Sequence, residues 1–214
     1  CWVYMCLPPI IMAKQRTTGK ARRPANSEVE NMSQTAKIAI IGTGFSGLGM
    51  GIKLKEAGYD NFVILEQSDD VGGTWHENHY PGCACDVQSA LYSFSFEQNP
   101  NWTRMFAQQK EIQAYLRSCA EKYDLMKHVR LNTHVAGARF DEKTQSWTIE
   151  TCDSPKLWAY MQDKGLNPGD KLNRQDKGLP NFSTFKADVV VSGMGGLSTP
   201  AYPTIKGLAT FPGK

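Results

Sequence analysis

Three glycines spaced Gly42-Thr-Gly44-Phe-Ser-Gly47 stand between two stretches of very different character. Before them, Lys37-Ile-Ala-Ile-Ile41 is short, apolar and rich in β-branched residues, which reads as a buried parallel strand. After them, Phe45–Ala57 reads as a helix, with Gly58 as its C-terminal stop. Asn61-Phe-Val-Ile-Leu-Glu66 reads as a second buried strand. A right-handed crossover joins two such strands in one parallel sheet. Each glycine has a separate task in this G-x-G-x-x-G turn. Gly42 permits the tight turn, Gly44 lets backbone approach a pyrophosphate, and Gly47 lets the helix lie close on the strand. The helix N-terminus offers free N–H groups to the phosphates. Glu66, at the end of the second strand, is placed to accept hydrogen bonds from ribose hydroxyls. An acid there speaks against a 2′-phosphate and suits FAD or NAD better than NADP at this turn.

The rest of the chain extends this unit. Gln67 to about Asp86 is glycine- and aspartate-rich loop. Lys110–Tyr123 carries Ile112, Tyr115, Leu116 and Cys119 at helical spacing. Val129–Leu131 predicts a short strand. Val135–Phe140 and Trp147–Thr151 alternate around the polar turn Asp141–Ser146 and predict a β-hairpin. Residues 153–183, with Pro155, Gly165, Pro168, Gly169, Gly178 and Pro180, read as a surface insertion with a short helix at Leu157–Asp163. Lys186–Ser192 predicts a return to a buried strand. The expected fold class is α/β, a Rossmann-like FAD/NAD(P)-binding three-layer fold, present incompletely.

The loop after the second strand reads Gly72-Gly-Thr-Trp-His-Glu-Asn-His-Tyr-Pro-Gly-Cys-Ala-Cys-Asp86. Gly72 and Gly73 let backbone lie against a flat ring system. Tyr80-Pro81-Gly82 forces a turn. Four possible metal ligands also occur here: His76, His79, Cys83 and Cys85. Structural zinc sites prefer cysteines two to four residues apart, and Cys-x-Cys is tight for one tetrahedral ion. The glycines and aromatics of the loop need no metal to explain them, so none is expected.

Gly-Gly-x-Trp-x4-Tyr-Pro-Gly-x3-Asp in this loop resembles, position for position, a signature of the Baeyer–Villiger monooxygenases. Tyr92-Ser-Phe-Ser-Phe96, Trp102 and Phe106-Ala-Gln-Gln-Lys-Glu-Ile-Gln-Ala-Tyr-Leu116 are also similar to that family. So is Val189-Val-Val-Ser-Gly-Met-Gly195, although the family has Ala-Thr-Gly or a relative of it where Ser192-Gly193-Met194 stands. The resemblance implies two cofactors, FAD and NADP(H). It assigns Gly42, Gly44, Phe45, Ser46 and Gly47 to the FAD phosphates, and Glu66 with Gln67 to the ribose side. Gly73, Thr74, Trp75 and Tyr92 line the flavin, with Trp75 as a wall. Ala84 and Cys85 approach the flavin. Asp86, the one catalytic candidate, sits beside it and helps to position the nicotinamide and a catalytic arginine. Val135 meets the adenine through its backbone, and Gly193 and Met194 pass the FAD. The implied reaction begins when NADPH reduces FAD. A C4a-peroxyflavin formed with O₂ then inserts one oxygen atom into a small-molecule ketone.

The resemblance runs from about Lys37 to Gly213, broken by residues 153–183. Pro200, Pro203, Ile205, Gly207 and Leu208 fit a linker pattern. Of the family's F-x-G-x3-H-x3-W fingerprint, only Phe211 and Gly213 are present, and there is no second G-x-G-x-x-G. Residues 37–214 are therefore read as a partial FAD-binding domain without its NADP domain, expected to be inactive alone. Two alternatives stay open: an N- or S-oxidising flavin-containing monooxygenase, and a non-catalytic FAD-binding fragment.

Charge excludes other classes. The net charge of +3 is carried by residues 1–36, through Lys14, Arg16, Lys20, Arg22 and Arg23 against Glu28 and Glu30. The remainder is neutral, with no electrostatic case for nucleic acid or a membrane. Residues 1–36 read as a disordered basic tail or a non-native extension. The six cysteines suggest no disulfide framework, so a reducing, cytoplasmic setting is expected.

Overall fold

A computed structural model of the chain describes residues 10–11, 37–196, 204–207 and 210–212. The linker residues Pro200, Pro203 and Leu208, the fingerprint residue Gly213 and all of the expected tail at 1–36 except Ile10 and Ile11, which form a strand, lie outside the described residues.

The strands β1 (Ile10–Ile11), β2 (Ile38–Ile41), β3 (Phe62–Leu65), β4 (Val129–Arg130) and β8 (Val189–Ser192) form one sheet, in the order β1-β8-β2-β3-β4. The strands β8, β2, β3 and β4 run parallel, and β1 joins β8 antiparallel, Ile10 opposite Ser192. A second, antiparallel sheet contains β5 (Thr133–Asp141), β6 (Ser146–Asp153) and β7 (Ser183–Ala187), in that order. The helices are α1 (Phe45–Glu56), α2 (Thr74–Glu77), α3 (Gln109–Lys122) and α4 (Ser154–Lys164).

Alternation along the strands builds the layers. Successive strand residues point to opposite faces. Ile38, Ile40, Phe62, Ile64 and Val191 therefore share one face with Leu48 and Ile52 of α1 and Ile112 and Leu116 of α3. Ala39, Val63, Leu65 and Val190 share the other with Ile149 of β6 and Ala187 of β7. The result has three layers: helices, parallel sheet, antiparallel sheet. Both faces of β2 and β3 are covered, which is why these strands read as unbroken apolar runs. Burying a side chain such as Ile40 or Ile64 contributes about 1.5–3 kcal/mol.

The α1 helix follows from small residues as much as large ones. Its buried stripe is Gly47, Leu48, Gly51 and Ile52. A Cβ on Gly51 would stand 2.9 Å from Ile64 Cδ1, so glycine brings the helix down onto the sheet. Gly58, at φ +82°, ends the helix, and the Tyr59 N–H donates back to Leu54 O at 2.9 Å.

Two expectations need correction. The single strand over Lys186–Ser192 is two strands in different sheets, β7 and β8. The chain steps between the layers at Asp188, whose Oδ2 accepts from Lys37 N at 2.9 Å and whose N–H donates to Lys37 O at 2.8 Å. Nothing in the residue order marks the step, because no glycine or proline separates Ala187 from Val189. The insertion also holds more structure than a bare excursion. Its helix spans Ser154–Lys164, capped by Asp153, whose Oδ1 accepts from Lys156 N at 2.9 Å. Leu157, Tyr160 and Met161 pack with Cys152, Leu166, Leu172, Leu179 and Phe182 in a small core of their own.

Candidate functional site

The glycine turn sits at the C-terminal end of β2, where Gly42 N–H donates to Leu65 O at 2.8 Å. Gly42 has φ +95°, and a Cβ there would lie 2.6 Å from Gly193 O. A Cβ on Gly47 would lie 1.8 Å from Gly42 O. These two positions are closed to any side chain. Gly193 is held in turn by its N–H to Ile41 O at 2.8 Å. Gly44 differs: a Cβ there would meet only Gly73 Cα, at an ordinary contact distance of 3.9 Å, so this position alone of the three is not crowded. Gly44 caps α1 without a side-chain hydrogen bond, and the first turn of α1 holds no acidic residue. The N–H groups of Phe45, Ser46 and Gly47 thus stand at a helix end with no carboxylate competing for them.

Glu66 is buried beside this turn. Its Oε2 accepts from Thr43 N at 2.8 Å and Thr43 Oγ1 at 2.5 Å, and its Oε1 accepts from Ser68 N at 3.0 Å. The sequence reading gave Glu66 to a ribose and overlooked Thr43, which is fully buried. The carboxylate joins the turn to the next loop before any ligand is considered. With roughly four acceptor sites on a carboxylate, it keeps acceptor capacity for a ribose hydroxyl.

The second glycine pair approaches the first. Gly72 and Gly73 have φ +134° and +55°, and a Cβ on Gly73 would lie 2.9 Å from Gly44 Cα. Gly72 N–H donates to Thr43 O at 3.1 Å. Thr74 and Trp75 follow in α2. Trp75 is buried, donates its indole N–H to Tyr92 OH at 3.0 Å, and meets the Tyr92 ring edge-on at 5.7 Å. Phe45 meets Tyr92 at 5.0 Å and Phe94 at 5.1 Å. An aromatic cluster therefore stands directly below the start of α1.

Gln109, absent from the expected site, fixes this cluster. It is buried, and its amide Nε2 donates to Trp75 O and to Gln113 Oε1. Gln113 Nε2 and His76 Nδ1 lie 2.8 Å apart, and His76 Nε2 lies 2.9 Å from Asp69 Oδ1. Both ring nitrogens of His76 are thus engaged within the protein. No group of three or more His, Cys, Asp or Glu side chains able to hold a metal occurs among the described residues.

The segment Cys83–Asp86 is stitched to the start of α3. Gln109 N donates to Cys83 O at 3.0 Å and Cys85 N to Ala107 O at 2.9 Å, with Ala84 bridged to Gln108. The turn before it closes through Cys83 N to Tyr80 O at 3.1 Å, with Gly82 at φ +81°. Burial pushes the Cys85 thiol above its usual range, which keeps it neutral. Asp86 and Met194 are exposed. Val135 lies in β5 and packs against the Ala39 and Leu65 face of the main sheet. The structure brings the turn, Glu66, Gly73, Trp75, Tyr92 and Gly193 into one neighbourhood.

A cleft of about 350 Å³ lies just beyond Glu66, between Gln67, Ser68 and Asp69 on one side and Pro155 and Trp158 on the other. Among the described residues, no helix is long and apolar enough to cross a membrane.

Comparison with known proteins agrees with this geometry. Residues 40–109 match the family of NAD(P)-binding Rossmann-like domains. A protein named Baeyer–Villiger monooxygenase from Pseudomonas aeruginosa is 50% identical over 178 residues, covering 83% of this chain and 28% of its own length. Cyclohexanone monooxygenase from Rhodococcus sp. Phi1, solved with NADP+, superposes with a TM-score of 0.63 at 31% identity, over 84% of this chain and 29% of that one. The OTEMO structure, solved in complex with FAD and NADP, gives a TM-score of 0.60 at 27% identity, over 83% of this chain and 29% of that one. The chain thus spans under a third of the length of these relatives. Its glycine turn, its Gly72–Asp86 loop and its layered fold place it in the Baeyer–Villiger family of flavin-dependent monooxygenases.

Proposed function

We propose that residues 37–196 form part of the FAD site of a Baeyer–Villiger monooxygenase, which uses NADPH and O₂ to convert a ketone to an ester or lactone. The observation that carries this reading is the meeting of three backbone segments at Gly42–Gly47, Gly72–Gly73 and Gly193. They pack too closely for side chains at Gly42, Gly47, Gly73 and Gly193, and the least crowded space lies beside Gly44, at the N-terminus of α1. That space suits a pyrophosphate, which needs backbone donors and no competing acid.

The placements support a part for each residue. The N–H groups of Phe45, Ser46 and Gly47 take the phosphates. Glu66 orients the ribose, held in place by Thr43 and Ser68. Trp75, buried next to Gly73, and the partly buried Tyr92 form an apolar, aromatic backing that would keep water from that side of a bound ring. Asp86, exposed at the end of a loop pinned to α3, holds a carboxylate ready for the positively charged groups of the second cofactor and of a catalytic arginine. When bound, the flavin and the nicotinamide supply the redox chemistry and oxygen activation, and the protein supplies position and electrostatics.

Titration of the purified chain with FAD and with FMN tests the site. Flavin fluorescence is expected to change on addition of FAD, with little response to FMN. Absence of FAD binding, with an unchanged melting temperature, overturns the reading. For the reaction, a form of the protein long enough to turn over NADPH is given a ketone and a thioether. Ester or lactone product supports the ketone reading. Sulfoxide alone replaces it with an S-oxidising activity.

A further inference from the structure

The helix α4 has no part in the site described so far, although the cleft it closes begins at Gln67 and Ser68. The helix is tied to the ribose end of the site by three backbone hydrogen bonds. Thr133 N donates to Glu66 O at 2.7 Å, Asn132 N to Ser68 O at 2.9 Å, and Ser154 N to Asn132 O at 3.0 Å. Asn132 makes the sharp corner at φ +54°, a conformation asparagine tolerates better than most residues. The first turn of α4 is therefore fixed opposite residues 67–69. Pro155 and Trp158, three residues apart, project from the same face of the helix and wall the cleft.

Trp158 turns part of its surface to the cleft. Its neighbour Leu157 is buried in the small core of the insertion, whereas Trp158 is 37% exposed and meets His134 edge-on at 5.9 Å. A tryptophan left half-open over a cleft offers a flat, weakly polar surface to another flat ring. The opposite wall supplies the Gln67 amide, the Ser68 hydroxyl, which bonds to Glu77, and the carboxylates of Asp69 and Glu77. No lysine or arginine lines the cleft, which argues against a phosphate there. At about 350 Å³ the cleft is near the lower end of the range for small-molecule sites. A planar heterocycle with donor groups, a nucleoside base, matches this chemistry. The cleft begins one residue beyond Glu66, and His134, on which Trp158 rests, is the chain neighbour of Val135.

We propose that α4 supplies the outer wall of a nucleoside subsite, in which Trp158 stacks on the purine of the dinucleotide held at the glycine turn. This rests on the dinucleotide reading above and adds a determinant to it, the preference for an adenine dinucleotide over a mononucleotide. Trp158 acts here as a specificity residue that touches the cofactor and takes no part in the chemistry.

Two titrations separate this proposal from the reading it rests on. In the first, adenosine alone is added to the wild-type chain and to Trp158→Phe, and the loss of tryptophan fluorescence is compared. Quenching in the wild type that is largely lost in the variant is expected. In the second, FAD is titrated into wild type, Trp158→Ala and Trp158→Phe, with melting curves confirming that each is folded. Removal of a stacked ring is expected to weaken FAD binding roughly tenfold, with partial recovery in the phenylalanine variant. If FAD binds wild type and Trp158→Ala equally, the proposal falls and the FAD site stands. If wild type binds no FAD but adenosine quenches Trp158, the FAD reading falls and the nucleoside cleft stands. If neither ligand acts, both fall.

Discussion

Gly47 and Glu66 show how little latitude the centre of the site allows. A methyl group on Gly47 would sit 1.8 Å from Gly42 O, an overlap that only movement of α1 away from β2 can relieve. Gly47→Ala is expected to cost about 1–3 kcal/mol. For a chain of this size that lowers the melting temperature by several degrees, at roughly 2–4 °C per kcal/mol. A thermal melt checks it, and an unchanged melt would show that the helix yields freely. Glu66 is bound from both oxygens to Thr43 and Ser68. Glu66→Ala strands the buried Thr43 N–H and is expected to destabilise the chain by about 1–3 kcal/mol. Denaturant unfolding without cofactor measures this. Wild-type stability there would mean that Glu66 serves the ligand alone.

Among the elements, α3 holds the aromatic cluster through polar contacts as well as apolar ones. Tyr115 OH accepts from Phe94 N at 2.8 Å and donates to Glu97 O at 2.6 Å. Burial pushes its phenol well above the usual range, so it remains a neutral donor. Tyr115→Phe keeps the ring but leaves the Phe94 N–H without that acceptor, an expected loss of about 1–3 kcal/mol in urea unfolding. The strand β5 introduces a pH dependence. Burial holds His134 below its usual range. Protonation then favours the unfolded chain, whose histidine titrates near about 6.5. Stability is complete above that value and falls as the pH drops through it toward the folded value. Unfolding at a series of pH values should show this fall, flattened in His134→Phe. An equal fall in both would assign the dependence to other groups.

The whole molecule is three layers with one separately packed addition. The core of the insertion shares no residue with the two main cores. β6 and β7 pair in continuous register from Trp147↔Ala187 to Thr151↔Ser183, so a short turn replacing residues 154–181 would leave their ladder intact. Such a deletion is expected to keep a cooperative melt and to lose adenosine quenching. Aggregation of the deleted chain would show that the insertion supports the fold itself. The layers and the glycine turn were legible in the residue order. Unbroken apolar runs specify doubly covered strands, and a turn with no room for Cβ atoms admits only glycine, so local sterics and periodicity wrote Lys37–Glu66 directly. The loop Gly72–Asp86 was legible differently, through its resemblance to a family signature. Other features depended on contacts between residues far apart in the chain. Thr43 turned toward Glu66, Gln109 reached the Trp75 carbonyl, the run at Lys186–Ser192 split between two sheets, and Trp158 came to face Gln67 across a cleft. None has a local periodicity or backbone signature, because each is decided by which distant atoms arrive at hydrogen-bonding or packing distance. The sequence by itself determined the glycine turn and the layers around it; the tertiary structure decided which side chains brace the turn and which face one another across the cleft beside Glu66.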